Sequence, residues 1–587
     1  MIRYIRWQVL LTILGIVLIA AVLFTLVPRQ DAALSVPTAP TTVVEVRGGT
    51  YVEGIAGYPR LINPLFSHLN DVDRDLCALI FEGLTAVNEH NEIVPLLAHH
   101  WLVSKDALTY TFYLRDSVRW QDGTPFTADD VVFTIGLLQD EAFPLYAPTL
   151  ELWRSVEVLK LDTHVVQFVL AQPYAPFLDY TPVGILPKHL LEDVPVSELA
   201  EHPFNYAPVG TGLFALDVQS SSAERLVLKA NRYHRLWGET LLDRIEFRFY
   251  PSYQHVLAAY EAGEVMGVSR ILAEDLPRAR SDPDLQLLSA RVSGMSLVLM
   301  NLNHAEKHFF QDQRVRQALL YGLDRQGLLD DVLGGQGLVL HSPIMPQSWA
   351  YDTRVKKYAH DSVRATELLE EAGWLLPDAK ESVLADLDPQ DQPVRSKRDQ
   401  LLEFTLLTID VPDRVALANA IADQWAELGA RVHVEAVSIT DLTEVYLQPR
   451  AFEAALVQWQ SRPDPDPYPL WHSTQATQSG QNYCGFVDRD ADEAIEVARL
   501  MVDHGRRAEL YQHFQEVFVE QVPAILLYQP VYTYGLDKQV RNVQIAPMAD
   551  ASGRFRNVWQ WAVLEKEVGL SELNDQVGDQ LDKRSVP

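Results

Sequence analysis

The sequence predicts an α/β chain of several domains, and three observations carry that reading. At 587 residues the chain is too long for one core and implies roughly three to four domains. Hydrophobic residues make up 48% and charged residues 22%, the balance of a globular protein. Through most of the chain, segments with the two-residue period of half-buried strands alternate with helical ones. LEFTLLT, DRVALANAIADQWAELG and ARVHVEAV follow one another from Leu402 to Val437, a strand–helix–strand unit.

From the N-terminus, MIRYIRW carries Arg3 and Arg6, and the run from Val9 to Val27 has no charge. That run is long enough to span a bilayer as a helix. It ends in VPRQ without a small-residue cleavage motif, so an uncleaved anchor is expected, with a cleaved signal segment as the alternative. The basic residues ahead of it place the acidic remainder outside the cytoplasm. Residues 1–28 form this segment, and the small, proline-bearing 29–45 a linker. LTYTFYL (Leu108–Leu114), HVVQFVL (His164–Leu170) and RIEFRFY (Arg244–Tyr250) read as half-buried strands. FTADDVVFTIGLLQD opens a helix that Thr127 can cap, with acids in its first turn. PSYQHVLAAYEAGE is a further amphipathic helix. RVRQALLYGLDRQGLLDDVLGG and SVRATELLEEAGW read as helices stopped by glycine. The stretch between Leu375 and Gln400 is expected as a solvated loop, and 564–587 as a polar tail.

Several function classes fall away. The formal net charge of −30 repels phosphates, which excludes nucleic acid as a partner. No nucleophile elbow, H-E-x-x-H or phosphate-binding glycine loop exists. PVGTGLF supplies Gly210 and Gly212 but no third glycine; on its own it reads as a tight turn. Asp488-x-Asp490-x-Asp492 lacks the glycine and glutamate of a calcium loop and reads as a helix N-terminus. Neither histidines nor cysteines fall at metal-ligand spacing, so no catalytic residue, metal or cofactor is assigned. Cys77 and Cys484 lie more than 400 residues apart and are expected as two unpaired buried thiols, although their pairing stays open.

WQSRPDPDPYPLWHS, Trp459 to Ser473, sets prolines at 463, 465, 467 and 469 with Asp464, Asp466 and Tyr468 between them. Each proline fixes its own φ and biases the residue before it towards extended geometry. The stretch is therefore stiff, and reads either as a surface connection or as a mount for its carboxylates.

LRDSVRWQDGTPFTADDVVFTI, Leu114 to Ile135, closely resembles the signature of the family 5 solute-binding proteins of ABC importers, the peptide, dipeptide and nickel receptors. INPLF, LIFEGL, PVGTGLF, NLNHAEKHFFQDQRVRQALLYGLDRQGLL, ATELLEEAGW, WQSRPDPDPYPLWHS, QNYCGFVDRDADEAI and VPAILLYQP continue the likeness in order, over roughly Gly48 to Trp561. The resemblance implies a two-lobed periplasmic-binding-protein-like fold of class II, closing by a hinge, with an extra domain nested in the first lobe. Its bounds would be 46–88, 207–302 and 534–563 for the first lobe, 89–206 for the nested domain and 303–533 for the second lobe. It also implies an extracytoplasmic, monomeric receptor that delivers a peptide to the permease subunits of an importer.

In peptide receptors of the family, an aspartate three residues after the tryptophan holds the ligand's α-amine. Here that position is Arg462, and the acids come later, at Asp464 and Asp466. The implied ligand set is Trp459, Arg462, Asp464, Asp466 and Trp471, with Gly210, Thr211 and Gly212 of the PVGTGLF crossover. Arg462 is expected to keep Asp464 ionised. An oligosaccharide or other small solute is the alternative ligand, since Trp459 and Trp471 can stack on a sugar as readily as pack a core. A membrane-anchored hydrolase is a remote third reading.

Overall fold

The computed structural model describes residues 48–144, 148–377, 393–398 and 400–564. The expected anchor, linker, tail and most of the loop after Leu375 lie outside the described residues. Among those described, no helix is long and apolar enough to cross a membrane.

A twelve-stranded sheet organises both halves of the molecule. On one side the parallel strands Thr50–Ala56 and Arg244–Tyr250 lie beside Arg225–Ala230 and Phe214–Leu216. On the other side Glu403–Ile409 runs parallel to Arg431–Val437 and Ala454–Gln460, with the helix Pro412–Glu427 between the first two. The expected strand–helix–strand unit is therefore present. Pro412 starts its helix, where a missing N–H costs nothing, and Gly429 at φ +84° supplies the left-handed turn that ends it.

The 14-residue strand Ala524–Asp537 joins the two sides. Its first half pairs antiparallel with Gly294–Met300 and its second half with Leu285–Arg291. The chain thus passes between lobes at Val292–Ser293 and returns near Pro530. The Val292 N–H donates to the Pro530 carbonyl at 3.0 Å, and the buried Gln529 amide donates to the Val292 carbonyl at 3.0 Å. Proline lacks a ladder donor, which suits the point where one strand changes partners. Two separate cores flank these crossings, one including Tyr51, Phe112, Phe177 and Trp561, the other Met295, Phe404, Trp471 and Phe518.

Within the first core lies a four-stranded antiparallel sheet of Ala98–Val103, Thr109–Leu114, Val165–Leu170 and Val156–Asp162. The helix Ala128–Gln139 covers it. Thr127 caps that helix as expected, in a capping box with Asp130. Asp488 likewise caps Arg489–Arg499 by accepting from the N–H groups of Asp490 and Ala491, so the aspartate run is a helix start. One expectation needs correction. RVRQALLYGLDRQGLLDDVLGG is two helices, Gln313–Tyr321 and Arg325–Leu333. The break follows Gly322, and Asp324 caps the second helix by accepting from the Gly327 N–H. Cys77 and Cys484 are both free and buried; burial pushes the Cys484 thiol up to about 12.

Candidate functional site

The proline-held segment forms one wall of a cleft between the two cores. Strand Ala454–Gln460 pairs with Gly294–Met300 in a register that sets Trp459 opposite Met295. Beyond it, the Ser461 N–H donates to the Ser293 carbonyl at 3.1 Å, carrying the extended chain to the lobe crossing. The four prolines then hold the backbone out of any ladder until the short helix Tyr468–Trp471.

Both acids on this mount have guanidinium partners. The Asp464 carboxylate takes a bidentate pair from Arg507, Nη1 to Oδ2 and Nη2 to Oδ1, each at 2.7 Å. Arg507 belongs to helix His504–Gln521; its side chain is 1% exposed and that of Asp464 10%. Asp466 Oδ2 accepts from Arg499 Nε at 2.9 Å. Arg499 lies 3.8 Å from the Tyr468 ring centre and 5.0 Å from that of Tyr174, so it is held by stacking as well as by charge. Burial lifts the Asp466 carboxyl above its ordinary value even against Arg499.

The facing wall comes from the other core. The turn Ala175–Tyr180 is pinned by buried Phe177, whose ring lies 4.6 Å from Tyr110 and 5.6 Å from Phe168. That anchoring turns Asp179 and Tyr180 towards the cleft. Asp179 Oδ2 accepts the Asp464 backbone N–H at 2.7 Å, and the Arg462 guanidinium lies 4.2 Å over the Tyr180 ring. Asp179 is half-buried on the cleft wall, and desolvation, followed by the charge of Asp464, lifts its carboxyl to about 7. Between the walls is a cavity of about 430 Å³, lined by groups from both cores, among them Asn91, Tyr174, Asp179, Gln347, Gln458, Trp459 and Arg462.

The expected site residues divide. Trp459, Arg462, Asp464, Asp466 and Trp471 all border this cavity. Their roles differ from expectation in two places. Arg507, not Arg462, is the cation on Asp464. Trp471 is 2% exposed and packs edge-on against Phe518 at 4.7 Å, so its ring belongs to the core; Trp459 is half-buried and keeps a face on the cavity. Gly210, Thr211 and Gly212 are not part of this cavity. The Gly212 N–H donates to the Ile80 carbonyl at 2.8 Å, and a Cβ on Gly210 would stand 1.8 Å from that oxygen. These glycines let two backbones touch, at a place outside this cavity.

Sequence reasoning missed Asp179, Tyr180, Tyr174, Arg499 and Arg507. The one usable signal was the set of arginines on the two helices following Asp488, which could have been sought as partners for two rigidly held acids.

The model of the bacterial extracellular solute-binding proteins, family 5, matches residues 92–481. The chain belongs to that family. It is 28% identical over 526 residues to the oligopeptide-binding protein AppA of Bacillus subtilis (strain 168), covering 88% of this chain and 92% of that one. To the dipeptide-binding protein of Escherichia coli (strain K12) it is 27% identical over 549 residues, covering 89% and 96%. Among solved structures, NikZ from Campylobacter jejuni in complex with Ni(L-His) superposes with a TM-score of 0.71 at 26% identity, covering 87% of this chain and 99% of that one. The two-lobed α/β architecture of periplasmic binding proteins is thus the fold of this chain, and solute binding is its family role.

Proposed function

We propose that this protein captures a short peptide between its lobes and hands it to the permease of an ABC importer. The observation that carries the reading is the cavity itself: groups from both cores enclose about 430 Å³, within the range of small-ligand sites. A ligand that touches both walls favours the closed arrangement, the differential affinity that drives hinge closure. The two crossings at Val292–Ser293 and Pro530 are the hinge in this account. Glutamines 347, 458, 460 and 481 on the cavity wall offer donors and acceptors to a peptide main chain without reading its side chains. The names of the Bacillus subtilis and Escherichia coli relatives, oligopeptide- and dipeptide-binding, support the same ligand class. Both tryptophans border the cavity, but Trp471 is 2% exposed and packs on Phe518, so only Trp459 has a face to stack on a ligand and a sugar site with two stacking rings is not favoured.

The apolar run Val9–Val27 holds the receptor, a monomer, on the outer face of the membrane, raising its effective concentration at the permease. A natural N-terminus starting near Asp31, found by mass measurement, would contradict the anchor. Mass spectrometry of the small molecules that copurify with the protein tests the ligand. Short peptides are expected; a sugar or a metal chelate in their place would overturn the peptide reading.

A further inference from the structure

The cavity wall carries six charged groups or close partners of such groups, and four of them are matched. Asp464 is held by Arg507 and Asp466 by Arg499. That leaves Asp179 and Arg462. Among the described residues, no ion pair reaches the Asp179 carboxylate; its one hydrogen bond is from a backbone N–H. Arg462 lies over the face of Tyr180, and among the described residues no ion pair reaches it. Both line the cavity, from opposite lobes.

We propose that Asp179 receives the ligand's ammonium group and Arg462 its carboxylate, so that a zwitterionic ligand completes the charge pairing of the closed cleft. This rests on the peptide reading and deepens it by assigning each terminus. A half-buried carboxylate with cations near it but none in direct contact is incompletely compensated, and an ammonium entering beside it supplies the missing charge-assisted hydrogen bond. Arg462 presents a planar fork suited to a carboxylate, and a residue that stacks on a ring keeps its N–H edge free to donate. Asp464 offers an ammonium less, because the bidentate Arg507 pair already neutralises its charge. The assignment also accounts for the arginine at 462: the second lobe offers the ligand a cation, and the facing lobe supplies the acid.

The carboxyl of Asp179 faces Asp464, Arg462 and Arg507 from the second lobe, and Tyr174 and Tyr180 flank it on its own turn. Its raised value of about 7 belongs to the ligand-free cleft. An ammonium favours the ionised form, so binding drives the proton off. Affinity for ligands with a free amine therefore falls as pH drops below about 7, and falls again above about 8, where the ligand's own α-amine loses its proton.

The test is calorimetric binding of an equimolar tripeptide pool, the same pool N-acetylated and the same pool C-amidated, to wild type, Asp179→Asn and Arg462→Gln. Asparagine can still accept the Asp464 N–H, so the wall itself is retained. Asp179→Asn is expected to weaken the free pool by roughly tenfold to a hundredfold, the scale of a hydrogen bond to a charged group, while leaving the acetylated pool unchanged. Arg462→Gln should weaken the free and acetylated pools and spare the amidated one. Wild type itself should prefer the free pool to both capped pools, a comparison that needs no variant to fold. Equal weakening of free and acetylated pools by Asp179→Asn would reduce Asp179 to a wall contact and overturn the assignment. Failure of wild type to bind any pool would overturn the peptide reading and the assignment with it.

Discussion

Two buried arginine–carboxylate clusters in this molecule use the same chemistry to different ends. Inside the first lobe, Arg554 joins Glu53 of the first strand, Nε to Oε1 at 2.9 Å, and Asp75 of helix Asp71–Ile80, Nη1 to Oδ1 at 2.8 Å. The hydroxyls of Tyr51 and Tyr534 each donate to Glu53 Oε2 at 2.5 Å. Every partner comes from one core, and Arg554 is fully buried. In the cleft, Arg507 and Arg499 hold Asp464 and Asp466, yet among the described residues no ion pair reaches Asp179 or Arg462 beside them. The first cluster closes on itself and fixes a lobe. The second is completed by something from outside, which separates a structural network from a binding site better than burial does.

Arg554→Met gives the largest expected effect. It leaves Asp75 and Glu53 buried without their cation, a loss of about 3–5 kcal/mol in unfolding free energy by urea titration. A smaller loss would mean that the first cluster is not closed. Burial already pushes Asp75 up to about 6, so it holds its proton more readily once Arg554 is gone. Arg507→Met comes next. Asp464 borders the cavity, where water can replace part of the lost pairing, and about 2 kcal/mol is expected; peptide affinity falls as well, because the proline-held wall loses its anchor. Asp464→Asn sharpens the distinction further. It should lower stability by about 1–2 kcal/mol without the difference between free and acetylated peptides that marks Asp179→Asn. At the bottom of the scale, Lys538→Ala removes an exposed pair with Asp284, whose side chains are 55% and 54% exposed, and should leave the melting temperature unchanged.

Much of this architecture is legible in the chain. The strand periods of Thr109–Leu114 and Arg244–Tyr250, the Thr127 capping box and the prolines around Asp464 are local signals, and each led to the right element. The location of the cleft wall came from the family resemblance of the proline-held stretch, not from these local signals. The pairings came from neither. Asp464 and Arg507 are 43 residues apart, and nothing in a helix sequence says which of its charges will meet a distant loop. Asp179 is harder still, since QPYAPFLDY reads as an ordinary turn until Phe177 is seen to pin it against Tyr110. The glycines of PVGTGLF are hard to place for a related reason: their small size answers to the Ile80 backbone, far along the chain. The break at Gly322 depends on Asp324 capping a new helix, which a continuous apolar pattern conceals.

The central claim is that a ligand's ammonium completes the open cluster, and the proton count on binding tests it most directly. Calorimetry at pH 6 with the tightest-binding member of the tripeptide pool, run in two buffers of different ionisation enthalpy, reads that count. At pH 6 the Asp179 carboxyl is largely protonated before binding and the ligand's amine is already charged, so the account predicts net proton release at that pH, absent in Asp179→Asn. Proton uptake, or a release that survives in Asp179→Asn, would contradict it.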